Sequence, residues 1–263
     1  MLYLISLILI VTQAAFGQVG RDSVDVSFRR IEQSAFGVGE RLVYDVGYSF
    51  FTAGEAVFAI PSMDTVHGRT AFRIQFTVNS TPSFSWIYRV EDKYETIVDE
   101  SGLFPWRFTQ RIREGGYERD FEAVFDHFRG VARTKDGEYA IPPHVQDVVS
   151  ALYLSRTFDF GHMRPGQRTE LTNFYKDSAY TLAVRFLGFQ KVSVDAGTFD
   201  CFLIEPLIKE GGLFKSDGRI LIWLSNDERR IPVKVSTKVA VGSIEAELRE
   251  YSGLRGPLKA RIK

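Results

Sequence analysis

Apolar and polar residues alternate with a period of two through most of the chain. Leu42, Tyr44, Val46 and Tyr48 share one parity between Arg41 and Phe51, and Phe72, Ile74, Phe76 and Val78 repeat the pattern. Every second side chain of a strand faces the same side, so this predicts strands with one buried face. Comparable stretches recur at Val57–Ile60, Phe104–Arg113, Tyr117–Phe128, Thr169–Tyr175, Ala179–Phe189, Lys191–Val194, Ile231–Val235 and Ser243–Tyr251. Cys201–Ile204 and Arg219–Leu224 are almost continuously apolar, as buried strands are. Turn-forming clusters separate them, among them Ala53-Gly54, Asp99–Gly102, Glu114-Gly115-Gly116, Asp177-Ser178 and Ser225–Glu228. Links this short join antiparallel neighbours, because parallel pairs need long crossovers. Roughly a dozen strands cannot stay a flat open sheet, so curling or splitting is expected.

One stretch breaks the pattern. In Val145–Phe158, Val145, Val148, Val149, Leu152 and Tyr153 follow the spacing of an apolar helical stripe. Pro142-Pro143 precedes it, and Gly161 and Pro165 follow. Asp147 and Arg156 suit the positive and negative ends of the helix dipole. A lone helix of about three turns is marginal in water, so it must cover a sheet face. The expected fold is therefore all-β with one central helix: a large curved antiparallel sheet or open barrel. Two lobes meeting at helix 145–158 are the alternative arrangement. The expected layout is a signal peptide over 1–17, a loose arm over 18–36, one β domain over 37–252 and a frayed basic tail over 253–263.

Four ordered motifs then carry a resemblance: Gly39-Glu40-Arg41-Leu42-Val43-Tyr44, Asp147–Tyr153, Ala196-Gly197-Thr198-Phe199-Asp200-Cys201 and Ile222-Trp223-Leu224-Ser225-Asn226-Asp227. Over roughly 37–251 the chain resembles a family of bacterial secreted proteins catalogued as a domain of unknown function. The resemblance implies an exported, mostly antiparallel β protein. It implies no reaction and transfers no catalytic residue.

Residues 2–11 form an apolar run followed by small and polar residues, as in a secretory signal cleaved near Ala15–Gly17. The run is shorter than the roughly 20 residues that span a bilayer, and the mature chain has no other candidate for a transmembrane helix. This places the protein in the periplasm or cell envelope. The single cysteine, Cys201, excludes an intrachain disulfide and reads as a buried thiol. Lys and Arg balance Asp and Glu to a net charge of +0, which does not suit a nucleic-acid partner.

Catalytic signatures are not found. His67, His127, His144 and His162 lack metal-ligand spacing. His144, Asp147 and Ser150 cannot converge as a triad, because six helical residues turn Ser150 about 240° from His144. No catalytic residue, metal ligand or cofactor is assigned. The aromatic group Phe84, Trp86 and Tyr88, beside Pro82, is a candidate lip for an apolar or sugar-like ligand. Tyr153 and Arg156, three apart, are candidates for a polar edge facing that ligand. The functional expectation is a non-catalytic envelope protein holding a lipid-like, glycan or peptide ligand on a concave β surface. The alternatives are a hydrolase of envelope polymers using paired carboxylates, or a scaffold that binds another envelope protein.

Overall fold

The computed structural model describes residues 28–48, 51–207, 219–238 and 242–262. The expected signal segment and the Gly211-Gly212 connection lie outside them. Among the described residues, fourteen strands form one antiparallel sheet. They are β1 (Arg41–Tyr48), β2 (Phe51–Val66), β3 (Arg69–Ser80), β4 (Glu91–Asp99), β5 (Pro105–Glu114), β6 (Tyr117–Asp126), β7 (Val131–Thr134), β8 (Gly137–Ala140), β9 (Arg168–Tyr175), β10 (Ser178–Val194), β11 (Gly197–Leu207), β12 (Ile220–Ser225), β13 (Pro232–Lys238) and β14 (Ser243–Ser252). A four-residue helix, α1 (Pro82–Ser85), links β3 to β4, and α2 (Val148–Ser155) lies between β8 and β9. The expected all-β fold with one central helix is what forms.

The sheet order runs β8 to β1, then β14 back to β9. Each half is a meander, and the β1–β14 ladder, from Arg41↔Ser252 to Tyr48↔Ile244, joins them. The halves are therefore one hydrogen-bonded sheet, not separate lobes resting on a helix. The sheet then curls until its ends overlap. Phe174, on the outer face of β9, packs on Phe125 of β6 and Tyr139 of β8, with ring centroids 5.8 and 6.2 Å apart. Bulges next to Tyr44, Gly47, Val98, Gly188 and Leu224 supply local bend and twist. The outer edge of β9 is not left open: Gln146 N–H donates to Thr172 O (2.8 Å), and Phe174 N–H donates to Gln146 O (2.7 Å). Covering an edge in this way blocks pairing with another chain.

Several boundaries differ from the sequence expectation for physical reasons. β2 continues through Pro61 to Val66, because the register shifts between Ala59 and Ser62 and Pro61 needs no ladder hydrogen bond there. Gly188 does not end a strand; it sits at a bulge with φ 129° inside the 17-residue β10. The helix is shorter than 145–158 and buried nearly all round, since the curled sheet surrounds it. The arm is not loose where it is described. Arg29 donates to the Gly102 and Leu103 carbonyls (2.7 and 2.8 Å), and Phe36 is fully buried. Nor is the tail frayed: Asp200 N–H donates to Ala260 O (3.0 Å), and Ile262 N–H donates to Thr198 O (2.9 Å).

Candidate functional site

The side chains of the described residues do not fill the interior of the curled sheet. A cavity of about 300 Å³ lies between the concave face and α2. On one wall Tyr44, Ala56, Phe58, Phe76 and Tyr94 follow one another across β1 to β4. Phe58 and Phe76 stack there at 4.1 Å. Ile204, Ile220, Ile222, Val235 and Ala246 make the opposite wall. Leu182, Val184 and Tyr180 of β10 close the side, and Val148, Val149, Ala151 and Leu152 of α2 form the floor. The alternation that builds the strands puts these residues on a common face. Of these helix residues, Val148 and Leu152 are partly exposed.

Local chemistry fixes the floor. Asp147 is the N-cap of α2: its Oδ1 accepts from Val149 and Ser150 N–H (2.8 and 2.9 Å), and Ser150 Oγ accepts from Asp147 N–H (2.9 Å). This is a capping box, so Asp147 and Ser150 do meet, as a structural pair. Thr96 Oγ donates to Asp147 Oδ2 (2.7 Å) and ties the cap to β4. Burial pushes the Asp147 carboxyl above its usual range, against these hydrogen bonds. Asn173 suits an orientation in which its amide nitrogen faces the Gln146 and Asp147 carbonyls (3.1 and 3.0 Å) and its oxygen accepts from Tyr180 Oη (2.7 Å).

The other end of α2 is held by a buried ion pair. The Arg156 guanidinium donates to both Glu40 oxygens (2.6 and 2.8 Å), to Ala35 O (3.1 Å) and to Arg229 O (3.0 Å). It lies over the Phe36 and Tyr153 rings at 5.2 and 4.9 Å. Tyr153 Oη donates to Glu40 Oε1 (3.3 Å). Tyr153 and Arg156 are therefore brought together, but both are fully buried and neither lines the cavity. Their polar ends point at Glu40 because a buried guanidinium needs a carboxylate partner. The aromatic group is elsewhere again. Phe84 is half-buried in α1, while Trp86 and Tyr88 are 81% and 44% exposed beyond it. The ladder register puts the β3–β4 connection at the same end of the sheet as Pro206, Ile220 and Thr237, where the cavity wall ends. The five candidate residues thus form no single site.

A polar group that sequence reasoning missed lies on the concave face of β4 and β5. Asp92, two residues before the cavity-lining Tyr94, shares a side-chain hydrogen bond with Glu114 and accepts from Arg113 N–H (2.9 Å). Burial raises the Asp92 carboxyl above its usual range; burial and the Asp92 charge raise Glu114. Gln110, cross-strand partner of Tyr94, is buried with neither amide atom in a hydrogen bond of normal geometry. Burial raises the Tyr94 hydroxyl to about 12. The sole signal in the sequence was polar residues at inward parity.

The histidines, scattered in sequence, also partly converge. His67, His127 and His144 surround Trp106, Phe104 and Phe28 at the opposite end of the sheet. His127 Nε2–H donates to Pro105 O (2.8 Å), and burial lowers its pKa to about 4. Among the described residues no cluster of His, Cys, Asp and Glu is arranged to hold a metal ion, and no helix is long and apolar enough to cross a membrane.

Comparison with known proteins agrees with this architecture. A crystal structure of a β-barrel-like protein of the domain of unknown function DUF1849 from Brucella abortus superposes with a TM-score of 0.51. It is 13% identical and covers 86% of this chain and 99% of its own, a likeness of fold alone. Looser likenesses are a protein described as a lipoprotein from Parabacteroides distasonis (TM-score 0.39, 10% identity, 86% and 100% coverage) and one described as exported from Bacteroides fragilis (0.36, 11%, 86% and 100%). No curated protein matches the sequence. Residues 43–249 match the family described as protein of unknown function, and the chain accordingly belongs to the DUF3108 family.

Proposed function

We propose that this is an exported, non-catalytic protein of the cell envelope that holds the apolar chain of an amphiphile between α2 and the concave sheet. The cavity of about 300 Å³, walled almost wholly by apolar side chains, carries this reading. Such a wall offers water few hydrogen-bond partners. An apolar chain gains by leaving water for it, roughly 25 cal/mol per Å² of apolar surface covered, and needs no directional contacts. Glycan or peptide ligands fit less well, since they need many polar partners along the wall. Export rests on the apolar run of residues 2–11.

The carboxylate-hydrolase reading has one supporting feature, the Asp92–Glu114 pair. Glycosidase carboxyls stand about 5 Å or more apart to flank a bond, whereas these two hydrogen-bond directly. The test is native mass spectrometry of the protein purified from its own host. The expected result is an added mass that denaturation releases as an amphiphile; persistent absence of any adduct, under conditions that preserve the fold, overturns the reading.

A further inference from the structure

We propose that the end of the sheet around the cavity mouth docks on a lipid bilayer with anionic head groups, so that the cavity opens directly onto the membrane. This rests on the cavity reading and adds the surface from which the amphiphile is taken up. The three most exposed large apolar side chains among the described residues, Trp86, Phe51 and Ile87 (81%, 74% and 62%), all stand on this rim. Tyr88, Tyr117 and Ile244, also exposed, join them. The ladders make them neighbours. Tyr48 pairs with both Ile244 and Phe51. Thr81 N–H donates to Ala53 O (2.8 Å), which brings α1, with Trp86 and Ile87 just after it, beside the start of β2. Gly115 N–H donates to Arg89 O (2.7 Å), which sets Tyr88 against the β5–β6 hairpin that carries Tyr117. The row is continuous with the cavity. Ile244 pairs with Thr237 and stands two residues from Ala246 on the same face, and both of those line the cavity.

The chemistry of the rim selects this partner. A contiguous exposed apolar patch marks a protein or membrane contact. Trp and Tyr, apolar at one end and wet at the other, suit the bilayer interface. Here they project from separate turns around an opening into an apolar cavity, so a lipid chain passes between bilayer and protein without crossing water. The charge behind the rim is complementary to an anionic surface. Lys93 and Arg111 face each other across β4 and β5, both exposed and, among the described residues, neither in an ion pair. Like charges directly opposite destabilise a sheet, and an anion between them removes the repulsion. They stand three residues behind the Val90–Glu114 bridge, roughly 10 Å at 3.4 Å per residue. An apolar edge sinks about 5–10 Å into the head-group boundary, which leaves these cations level with the phosphates. Lys238, opposite Ser243, is likewise exposed and in no ion pair among the described residues. The acids nearby are engaged: Glu91 by Arg89 (2.6 Å), and Glu118 and Asp120, the latter Arg111's other neighbour, by Arg113 (3.6 and 2.8 Å). Asp177 is adjacent to Lys176.

The experiment titrates the purified protein with vesicles of phosphatidylcholine, with or without phosphatidylglycerol, and follows tryptophan emission. Trp86 is the one exposed tryptophan; Trp106 and Trp223 are 2% and 9% exposed, so a blue shift on vesicles reports the rim. With phosphatidylglycerol present, wild type binds with a blue shift, and brominated lipid quenches the same emission. Phe51→Ser/Ile87→Ser keeps the reporter, changes two exposed side chains and binds at least tenfold more weakly, with an unchanged circular dichroism spectrum. Lys93→Gln/Arg111→Gln loses roughly fivefold per cation on phosphatidylglycerol vesicles and nothing on phosphatidylcholine alone. No blue shift on either vesicle overturns the proposal, as does equal binding by all three proteins, the result if residues 2–11 hold the membrane. A concentration-dependent dimer in sedimentation that Phe51→Ser/Ile87→Ser abolishes, without vesicle binding, assigns the rim to a second copy and overturns it too. An adduct in native mass spectrometry without vesicle binding overturns this proposal alone. Vesicle binding without an adduct overturns the cavity reading and the proposed route into it.

Discussion

Replacing Glu40 with Ala leaves the Arg156 guanidinium buried without its carboxylate. The structure sets the size of the effect. Arg156 and Glu40 are 0% and 1% exposed, and two of the guanidinium's hydrogen bonds, at 2.6 and 2.8 Å, go to Glu40. Removing one partner of such a pair costs about 3–5 kcal/mol. Tyr153 loses its acceptor as well, which adds about 1 kcal/mol. The contacts to Ala35 O and Arg229 O remain and return part of this. Glu40→Ala should therefore lose about 4 kcal/mol in urea denaturation followed by circular dichroism. The double variant Glu40→Leu/Arg156→Met removes both charges and should recover at least half of that loss. It should not reach wild type, because the Ala35 and Arg229 carbonyls lose their donor. A single-variant loss below about 1 kcal/mol, or a double variant as unstable as the sum of the two singles, would refute the reasoning that Glu40 neutralises a desolvated cation.

Three further outcomes follow from named contacts. His127 has a folded pKa of about 4, below its ordinary 6.5, so the folded state binds fewer protons between those values and stability falls as pH drops through that window. At 1.36 kcal/mol per unit the loss approaches about 3 kcal/mol, and the stability–pH curve of His127→Phe should be flatter by that amount between pH 7 and 4. Gly253 has φ +64°, and a Cβ there would sit 1.9 Å from the Gly39 carbonyl oxygen. Gly253→Ala should then destabilise the fold by more than ~1 kcal/mol in urea denaturation, whereas Gly→Ala at a compatible site stabilises slightly. Cys201 is fully buried with its thiol pushed up to about 12, so a thiol reagent at pH 8 should label it at the rate of global unfolding.

The fold was legible where side-chain parity decided it. Alternation in β1, β3, β5 and β9 named the strands, and Glu114-Gly115-Gly116 named a hairpin that formed as expected. Parity cannot say which way a sheet curls or that its ends overlap. The Phe174 contacts to Phe125 and Tyr139 span segments far apart in sequence, and nothing local encodes them. The helix was recognisable, but its environment was not: a stripe of Val145, Val149 and Tyr153 reads the same under a sheet face as inside a coiled sheet. For the same reason Tyr153 and Arg156 looked available to a ligand. Their partner, Glu40, lies more than a hundred residues away, and its one cue was a carboxylate sharing the parity of Leu42 and Tyr44. The cavity wall was present in the strand pattern as inward residues, but the volume left between them depends on curvature. Asp92, Glu114 and Gln110 are inward polar exceptions that come together only when β4 and β5 are placed side by side.

The central claim is that the space between α2 and the concave sheet accepts an apolar molecule. The direct measurement is a fluorescence titration with N-phenyl-1-naphthylamine on wild type and Val148→Trp, a change that fills the cavity from its floor. Wild type should saturate at one probe per chain with blue-shifted emission, and Val148→Trp, still folded by circular dichroism, should lose at least tenfold in affinity. Equal binding by both proteins, or no saturable binding by wild type, would contradict the account.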